Sequence, residues 1–213
     1  KTMIRINKGA EPIEWTRKKA TPGFTEYAPI PELREALLKD QGYICAYCMR
    51  EIPVAKKDPG LTETSKIEHI QCRERYPDQQ LDYKNMVICC PGYINGEEHC
   101  DKSKGNSDIS FNLFLPALQS SISYSSKDGS IKSSHQQWND EISSILSLNN
   151  SMLKINRKDV LDGVIMALEK KKWRTDEISS KLESGKSKNT KGNMKPYCGI
   201  VIWFLERRLK RMI

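Results

Sequence analysis

The sequence predicts an α+β fold in which a small cysteine-rich module precedes a mainly helical C-terminal region. Five of the seven cysteines lie between residues 45 and 90. Around them we predict a hairpin at CAYC, a loop containing Pro and Gly, a strand or loop at KIEHI, and a helix after Cys100. In the second half of the chain, apolar residues instead recur at helical spacing. A chain of 213 residues is long enough for one core of ordinary size. We therefore divide it into an N-terminal arm (3–31), a module (32–106) and a C-terminal region (107–213).

The N-terminal arm leads into a short helix. Residues 3–31 are rich in Pro, Lys and Thr, and their apolar residues fit neither the helical nor the strand period, which predicts an arm that wraps over the rest of the chain. Pro31–Gln41 begins with a proline, which the first helical turn tolerates, and places Leu33, Ala36 and Leu37 at helical spacing. One helix therefore precedes the cysteines.

The C-terminal region predicts a hairpin followed by helices. Apolar and polar residues alternate around Asp128-Gly129, a dipeptide that favours hairpin turns. Gly185–Gly192 is predicted to be a flexible basic loop. Three helices are predicted from apolar spacing: one between Val160 and Leu168, a shorter one over Asp176–Leu182, and a terminal one that contains Ile200 and Leu205.

The charge of the chain favours an anionic partner. Its formal net charge is +8, with 35 Lys and Arg against 27 Asp and Glu. Charge alone does not distinguish nucleic acid from a membrane surface or an acidic protein. Two basic clusters, at 170–174 around Trp173 and at 207–211, either follow a phosphate backbone or form solvated helix faces.

No apolar run approaches the roughly 18 residues of a membrane-spanning helix, and the N-terminus lacks the apolar core of a signal peptide. We therefore expect a cytoplasmic protein with no membrane partner.

The cysteine spacing predicts a structural zinc site. Cys45 and Cys48 form a CxxC pair at the tip of a predicted hairpin. Two later thiols come from Cys100 and from one of the adjacent residues Cys89 and Cys90. Four thiolates complete a tetrahedral zinc site, and metal binding then contributes directly to folding. The alternative is a redox CxxC, but this alternative lacks a βαβ context and leaves the later cysteines unexplained.

A second set of residues has the chemistry of phosphodiester hydrolysis. That reaction needs an activated water, a metal ion that neutralises phosphate charge, and a group that orients the base. His69 has a side chain that titrates near neutrality, and Glu68 and Asp101 offer hard oxygen ligands for Mg²⁺ or Mn²⁺. The amide of Asn85 can orient the imidazole.

These motifs resemble the HNH nucleases of the ββα-metal fold: CxxC, then Glu-His, then Asn before an apolar run and Cys, then Cys-Asp-x-x-Lys-Gly. The resemblance implies that His69 is the general base, that Glu68 and Asp101 hold one divalent ion, and that Asn85 supports the histidine. It also selects Cys90 over its neighbour, so that the implied zinc ligands are Cys45, Cys48, Cys90 and Cys100.

The sequence is similar in particular to the PtuB-type HNH proteins of Septu and retron-associated anti-phage defence. Shared elements include CAYCM, IEH, the closing HC followed by KG, and a PYCGIVIW-like end, so that the similarity covers almost the whole chain. It implies a toxic nuclease effector, with a PtuA-like ATPase as partner and, in retron systems, a reverse transcriptase with its RNA and DNA. DNA is the default substrate, and RNA, including transfer RNA, is the alternative.

Two positions depart from the usual HNH pattern. Glu68 stands where Asp is common, and Asp101 stands where His or Asn is common, so that His99 is an alternative third catalytic residue. Lys102 and Lys104 are candidate nucleic-acid contacts, although Lys104 fits a solvated helix face equally well. The competing function is a zinc-stabilised module that binds nucleic acid or regulates an ATPase without catalysis.

Overall fold

The structure is a computed structural model that describes residues 5–53 and 64–212, and it has a mixed α+β fold with small sheets. The helices in these ranges are α1 (Ile13–Lys19), α2 (Pro31–Gln41), α3 (Asp101–Lys104), α4 (Pro116–Ser121), α5 (Gln136–Asp140), α6 (Ser151–Lys170), α7 (Thr175–Lys186) and α8 (Cys198–Lys210). The antiparallel strand pairs are β1 (Lys66–His69) with β2 (Met86–Cys89), β3 (Tyr93–Ile94) with β4 (Glu97–Glu98), and β5 (Ile122–Tyr124) with β6 (Ile131–Ser133).

The central hairpin, β1 and β2, is held between α2 and the chain that contains the CxxC pair. All four residues of β2 are buried, as expected for an apolar run inside a core. The Gln41 amide, at the end of α2, donates to the Ile88 carbonyl at 2.8 Å and accepts from the Ile88 N–H at 2.7 Å. These bonds satisfy the buried N–H and carbonyl groups of Ile88 on β2. In the resulting register, Glu68 lies opposite Val87 and His69 opposite Met86.

Helix α2 has the predicted bounds because both of its ends are encoded locally. Pro31 occupies the first turn, and Gly42 ends the helix in the left-handed conformation at φ 64°. A Cβ at residue 42 would lie 2.5 Å from the Met194 side chain, so this turn also requires glycine for space.

The arm, the module and the C-terminal region share one hydrophobic core. Ile6 donates its N–H to the Leu113 carbonyl, and Cys100 donates to the Leu146 carbonyl. Tyr197, just before α8, donates to Met49 in the turn after the CxxC pair. The module is therefore completed by the regions on either side of it.

The C-terminal elements follow the sequence predictions with one difference in length. The hairpin of β5 and β6 turns at Asp128-Gly129, as predicted, and helices occupy the three predicted positions. The predicted basic loop was wrong at its beginning, because α7 continues through Gly185 to Lys186. Gly185 is buried, and a Cβ there would lie 3.4 Å from Ile202, so a small residue allows α7 to pack closely on α8.

Helix α1 was not predicted. It has seven residues, of which only Trp15 is buried, and so short a segment displays no apolar period. Trp15 packs edge-on against Phe24 and Tyr27 and donates its indole N–H to the Leu81 carbonyl. These contacts attach the arm to the chain between β1 and β2.

Among the helices of residues 5–53 and 64–212, none has both the length and the apolar character that crossing a membrane requires.

Candidate metal centre and active site

Four cysteines that are distant in sequence come together in the module. The Sγ atoms of Cys45, Cys48, Cys90 and Cys100 are buried and lie within 4.8 Å of one another. Cys45 and Cys100 are separated by 3.8 Å, as are Cys48 and Cys90. Sulfurs bound at about 2.3 Å to a tetrahedral zinc ion lie about 3.8 Å apart. This cluster can therefore bind a structural metal ion such as zinc.

The first half of the cluster is a tight turn. The Cys45 N–H donates to the Arg50 carbonyl at 2.9 Å, and the Met49 N–H donates to the Cys45 carbonyl at 3.1 Å. Met49 adopts a left-handed conformation at φ 61°, and a single bridge joins Ile44 to Glu51. This geometry confirms a hairpin-like turn at the CxxC pair.

The second half returns from β2 through the small hairpin of β3 and β4. Cys90 directly follows β2, and the His99 N–H donates to the Gly92 carbonyl at 2.9 Å, which brings Cys100 back beside it. Gly92 has φ 75°, and a Cβ there would lie 2.6 Å from the His99 carbonyl oxygen. The close return of the chain therefore depends on a glycine at residue 92.

The geometry distinguishes the two adjacent cysteines. Cys89 is the last residue of β2 and pairs with Lys66, whereas Cys90 lies past the strand and points into the cluster. Cys89 is fully buried but is not one of the four clustered ligands.

His99 lies beside the cysteine cluster. Its Nδ1 is 3.1 Å from the Sγ of Cys100 and 3.9 Å from that of Cys90. The ring is fully buried, and burial lowers its pKa, which keeps it neutral. An Nδ1–H in this position donates to a thiolate sulfur and supports the charge of the cluster. The structure thus associates His99 with the cysteines rather than with His69.

Glu68 and Asp101 form a carboxyl pair next to the cluster. Glu68 is buried on β1, and Asp101 is the partly exposed first residue of α3. Burial, together with a hydrogen bond to the Asp101 carboxyl, raises the pKa of Glu68 to about 8 against the opposing charge of Lys104. Two carboxyl groups so close cannot both carry a negative charge without a compensating proton or cation.

Lys104 lies beneath this pair. Its Nζ is 2.8 Å from Glu68 Oε1 and donates to the His69 carbonyl at 3.3 Å, and the side chain has no exposed surface. Tyr47, from the CxxC turn, donates its hydroxyl to the same Glu68 oxygen at 3.1 Å. The sequence predicted either a phosphate contact or a solvated position for Lys104. In the structure the Lys104 ammonium is instead buried against Glu68, because Lys104 lies one helical turn after Cys100.

Lys102, the other candidate phosphate contact, remains on the surface. It pairs with Glu98 at 3.1 Å, and its ammonium lies 4.7 Å from the centroid of the Tyr93 ring.

His69 is held in one tautomer. Its Nε2 lies 2.9 Å from the Gln80 carbonyl oxygen, which can only accept a hydrogen bond, so Nε2 carries the proton. Burial lowers the pKa of the imidazole to about 4, although the bond to Gln80 favours the charged form. The ring is therefore neutral at pH 7, and the lone pair is on Nδ1.

Asn85 acts on His69 through the intervening chain. Its amide accepts from the Gln71 N–H at 2.8 Å and donates to the carbonyls of Gln71 and Gln79 at 2.9 and 3.2 Å. These bonds fix the backbone immediately before Gln80, whose carbonyl binds the imidazole. Asn85 is therefore placed to orient His69 through the backbone. The sequence predicted that the Asn85 amide orients the imidazole, without this intervening chain.

Replacing Asn85 with alanine should lower any hydrolytic activity by about 10–100-fold, as is typical when a residue that orients a functional side chain is lost. It should also lower the free energy of unfolding by about 1–3 kcal/mol. Asn149→Ala is the matched control, because the Asn149 amide likewise bridges main chain, at Ile131, in another part of the fold. It should destabilise the protein comparably and leave activity unchanged. Denaturant unfolding and initial cleavage rates measure both effects; equal activity loss in the two variants would contradict the role of Asn85.

Sequence reasoning missed the contribution of the arm. The Tyr27 ring meets the His69 ring edge-on, with centroids 4.6 Å apart. The Tyr27 N–H donates to the Gln80 side chain at 3.3 Å, and the Gln80 amide donates to the Thr25 carbonyl at 3.2 Å. No spacing rule relates an irregular segment to a residue so far along the chain. The three aromatic residues of this Pro- and Thr-rich arm, Trp15, Phe24 and Tyr27, were the one available signal.

The arrangement thus joins a neutral imidazole of fixed tautomer, two carboxyl groups on the adjoining chain, and a cysteine cluster that binds β2 to α3. It offers a nitrogen that can accept a proton, His69 Nδ1, and two carboxyl groups, Glu68 and Asp101, whose oxygens are the type of donor that divalent cations bind. No family model and no curated protein matches this chain.

Proposed function

We propose that this chain is a metal-dependent nuclease of the HNH type that hydrolyses phosphodiester bonds with His69 as its general base. One observation carries the proposal: a neutral imidazole, fixed through Nε2, lies on the same short strand as one member of a carboxyl pair. The strand order also supports it, since two antiparallel strands are followed by a helix that begins with the second carboxyl group.

The proton transfer uses the geometry of His69. Because the Gln80 carbonyl holds the Nε2 proton, Nδ1 is free to take a proton from a water molecule. A pKa of about 4 makes the ring a weak base by itself. A bound phosphodiester brings negative charge to the site, which favours the imidazolium and strengthens the base when substrate is present.

The carboxyl pair fits a divalent cation. Glu68 and Asp101 supply hard oxygen donors, and the hydrogen bond between their carboxyl groups raises the pKa of Glu68, as expected where two carboxyl groups lie close together. Asp101 is partly exposed, which leaves one side of the pair open to substrate. When bound there, Mg²⁺ or Mn²⁺ would neutralise charge on the phosphate and on the leaving oxygen. Lys104 holds Glu68 in position from the buried side.

Cleavage of plasmid DNA and of total RNA, with and without Mg²⁺ or Mn²⁺, tests the proposal. Wild-type protein should cut at least one of the two substrates only when the divalent ion is present. Glu68→Gln is a close mimic of the protonated carboxyl group and should remove this activity while the zinc content is retained. Absence of cleavage of both substrates in either ion would contradict the proposal.

The binding of Mn²⁺ should depend steeply on pH. Glu68 has a raised pKa of about 8, so below pH 8 the metal-free protein carries a proton that the ion must displace. The apparent affinity should then rise about tenfold per pH unit up to pH 8 and level off above it. Calorimetric titration in buffers of different ionisation enthalpy should detect about one released proton at pH 7. A flat profile would show that Glu68 is not a ligand.

The motifs shared with PtuB-type proteins support a further part of the proposal, in which the nuclease is the effector of an anti-phage complex with a PtuA-like ATPase. Co-expression of the chain with such an ATPase and affinity purification through one subunit tests it. Recovery of the tagged subunit without the other would contradict the proposed complex.

A further inference from the structure

The two basic clusters, at 170–174 and 207–211, converge on one surface. Trp173 ends the turn between α6 and α7, and its ring packs against Phe204 of α8 with centroids 6.3 Å apart. The Arg208 guanidinium, one turn further along α8, lies 4.7 Å from the centroid of the Trp173 ring. Each cluster by itself is compatible with a solvated helix face. Their convergence around aromatic rings is not explained by that interpretation.

A second pairing of the same kind lies next to the first. The Arg207 guanidinium lies 5.2 Å from the centroid of the Trp203 ring. These arginines of α8 line a cleft of about 160 Å³, which we call the arginine cleft. Its lining residues are Ser126, Trp203, Phe204, Arg207, Arg208 and Arg211.

The charge of the arginine cleft is not neutralised by its neighbours. Nearby carboxylates pair with other cations: Lys171 with Glu177, Arg174 with Asp176, and Lys186 with Glu206. The three arginines of the cleft are exposed, and we find no ion pair between them and a carboxylate in residues 5–53 and 64–212. Three guanidinium groups thus face solvent around one small cavity.

Aromatic rings hold two of these groups, those of Arg207 and Arg208. A cation–π contact keeps a guanidinium over the face of the ring, which reduces the entropy lost when it binds an anion. A guanidinium binds phosphate through two parallel hydrogen bonds, and its outer plane can stack on an unpaired base. Trp203 and Trp173 are themselves half-buried against Tyr124 and Phe204, so they offer little apolar surface for insertion into a bilayer.

The backbone that presents Trp173 is unusual. Lys172 and Trp173 are consecutive left-handed residues, at φ 51° and 54°, and neither is glycine. Such conformations persist only where surrounding contacts enforce them. Here the Trp173 N–H donates to the Leu168 carbonyl at 2.9 Å, and the ring contacts Phe204 and Arg208 of α8.

The geometry points to the arginine cleft as a binding site for the phosphodiester backbone of single-stranded nucleic acid. A cavity of this size holds a phosphate group, and guanidinium planes at its rim can stack on bases only where those bases are unpaired. The site uses none of the residues of the Glu68–His69 centre and does not require that centre to be active. It gives the chain a second contact with nucleic acid, formed by α8 and by Ser126 in the turn between β5 and β6.

Binding should be measured in the His69→Ala background, so that cleavage does not consume the probe. Fluorescent oligouridylate, oligothymidylate and a matched DNA duplex are titrated with protein over a range of salt concentrations. The test variant replaces Arg207, Arg208 and Arg211 with glutamine. The matched control replaces Lys132, Lys191 and Lys195 with glutamine. These lysines are exposed and lie outside the cleft, so the control removes the same charge. A third variant replaces the three arginines with lysine.

The glutamine variant should bind the single strands at least tenfold more weakly at physiological salt, with the salt slope reduced by about two. The control should lose much less affinity, and the lysine variant should lie between, because charge remains without the planar fork. Oligodeoxyuridylate is titrated as well, because it differs from oligouridylate only in the sugar, so a preference between these two identifies the sugar that the cleft accepts.

Equal losses in the glutamine variant and the control would overturn the proposal, since only overall charge would then matter. A loss confined to the duplex, or to vesicles of anionic phospholipid measured in parallel, would overturn it in favour of another partner. Cleavage by the glutamine variant with His69 intact is scored separately. The arginine cleft can therefore fail while the nuclease proposal stands, and the reverse.

Discussion

Replacing His69 with alanine should lower the rate of phosphodiester cleavage by about 10²–10⁴-fold, the usual contribution of a general base. The zinc content should be unchanged, because the side chain is fixed by the Gln80 carbonyl and the Tyr27 ring and not by a cysteine. His69→Gln should be equally inactive, since its side-chain amide can replace Nε2 as a donor to the Gln80 carbonyl but offers no basic nitrogen. Initial rates at saturating Mn²⁺ measure the effect.

His135→Ala is the control for this substitution. His135 is exposed and stacks on Trp138, remote in sequence from the carboxyl pair. Its loss should leave the rate within a factor of about two, as is usual for surface substitutions. Cleavage by His69→Ala at the wild-type rate would exclude the proposed base, whatever the effect of the control.

Replacing Cys48 with serine should remove the bound metal and destabilise the whole fold. Structural zinc contributes about 10–16 kcal/mol in small domains, which is comparable to the total stability of an ordinary domain of about 5–15 kcal/mol. Because the cysteine cluster joins the turn after α2, the end of β2 and the start of α3, its loss should also separate Glu68 from Asp101. Metal analysis and thermal unfolding should show both effects.

Cys89→Ala is the matched control, because Cys89 is adjacent to a ligand, equally buried and outside the clustered four. It should keep one zinc per chain and lose only the ordinary cost of a core truncation, about 1–3 kcal/mol. A Cys48→Ser protein with full zinc content and wild-type melting, or a Cys89→Ala protein without zinc, would contradict the assignment of ligands.

The elements that the sequence predicted well are those encoded by neighbouring residues. Helix α2 has a proline in its first turn and a glycine at its end, and the β5–β6 hairpin has Asp128-Gly129 at its turn. The four clustered cysteines follow from spacing together with the family resemblance, which selected Cys90. The structure adds the reason, since Cys89 is still part of β2 and only the next residue leaves the strand.

Contacts between distant segments could not be predicted in the same way. Lys104 was predicted to contact phosphate or to lie on a solvated helix face. Its spacing of four from Cys100 instead places it on the buried face of α3, where Glu68 compensates its charge. Tyr27 reaches His69 from an irregular arm. The convergence of Arg208 on Trp173 depends on how α8 packs beside the turn before α7, which no local pattern encodes.

The location of bound Mn²⁺ tests the central claim most directly. Crystals of the zinc-loaded protein soaked in Mn²⁺, with anomalous data collected for both metals, would locate each ion. We expect zinc within the cysteine cluster and manganese about 2.1 Å from an oxygen of both Glu68 and Asp101, beside His69. Manganese bound elsewhere, with the Glu68 carboxyl still paired only to Lys104, would contradict a hydrolytic centre at these residues.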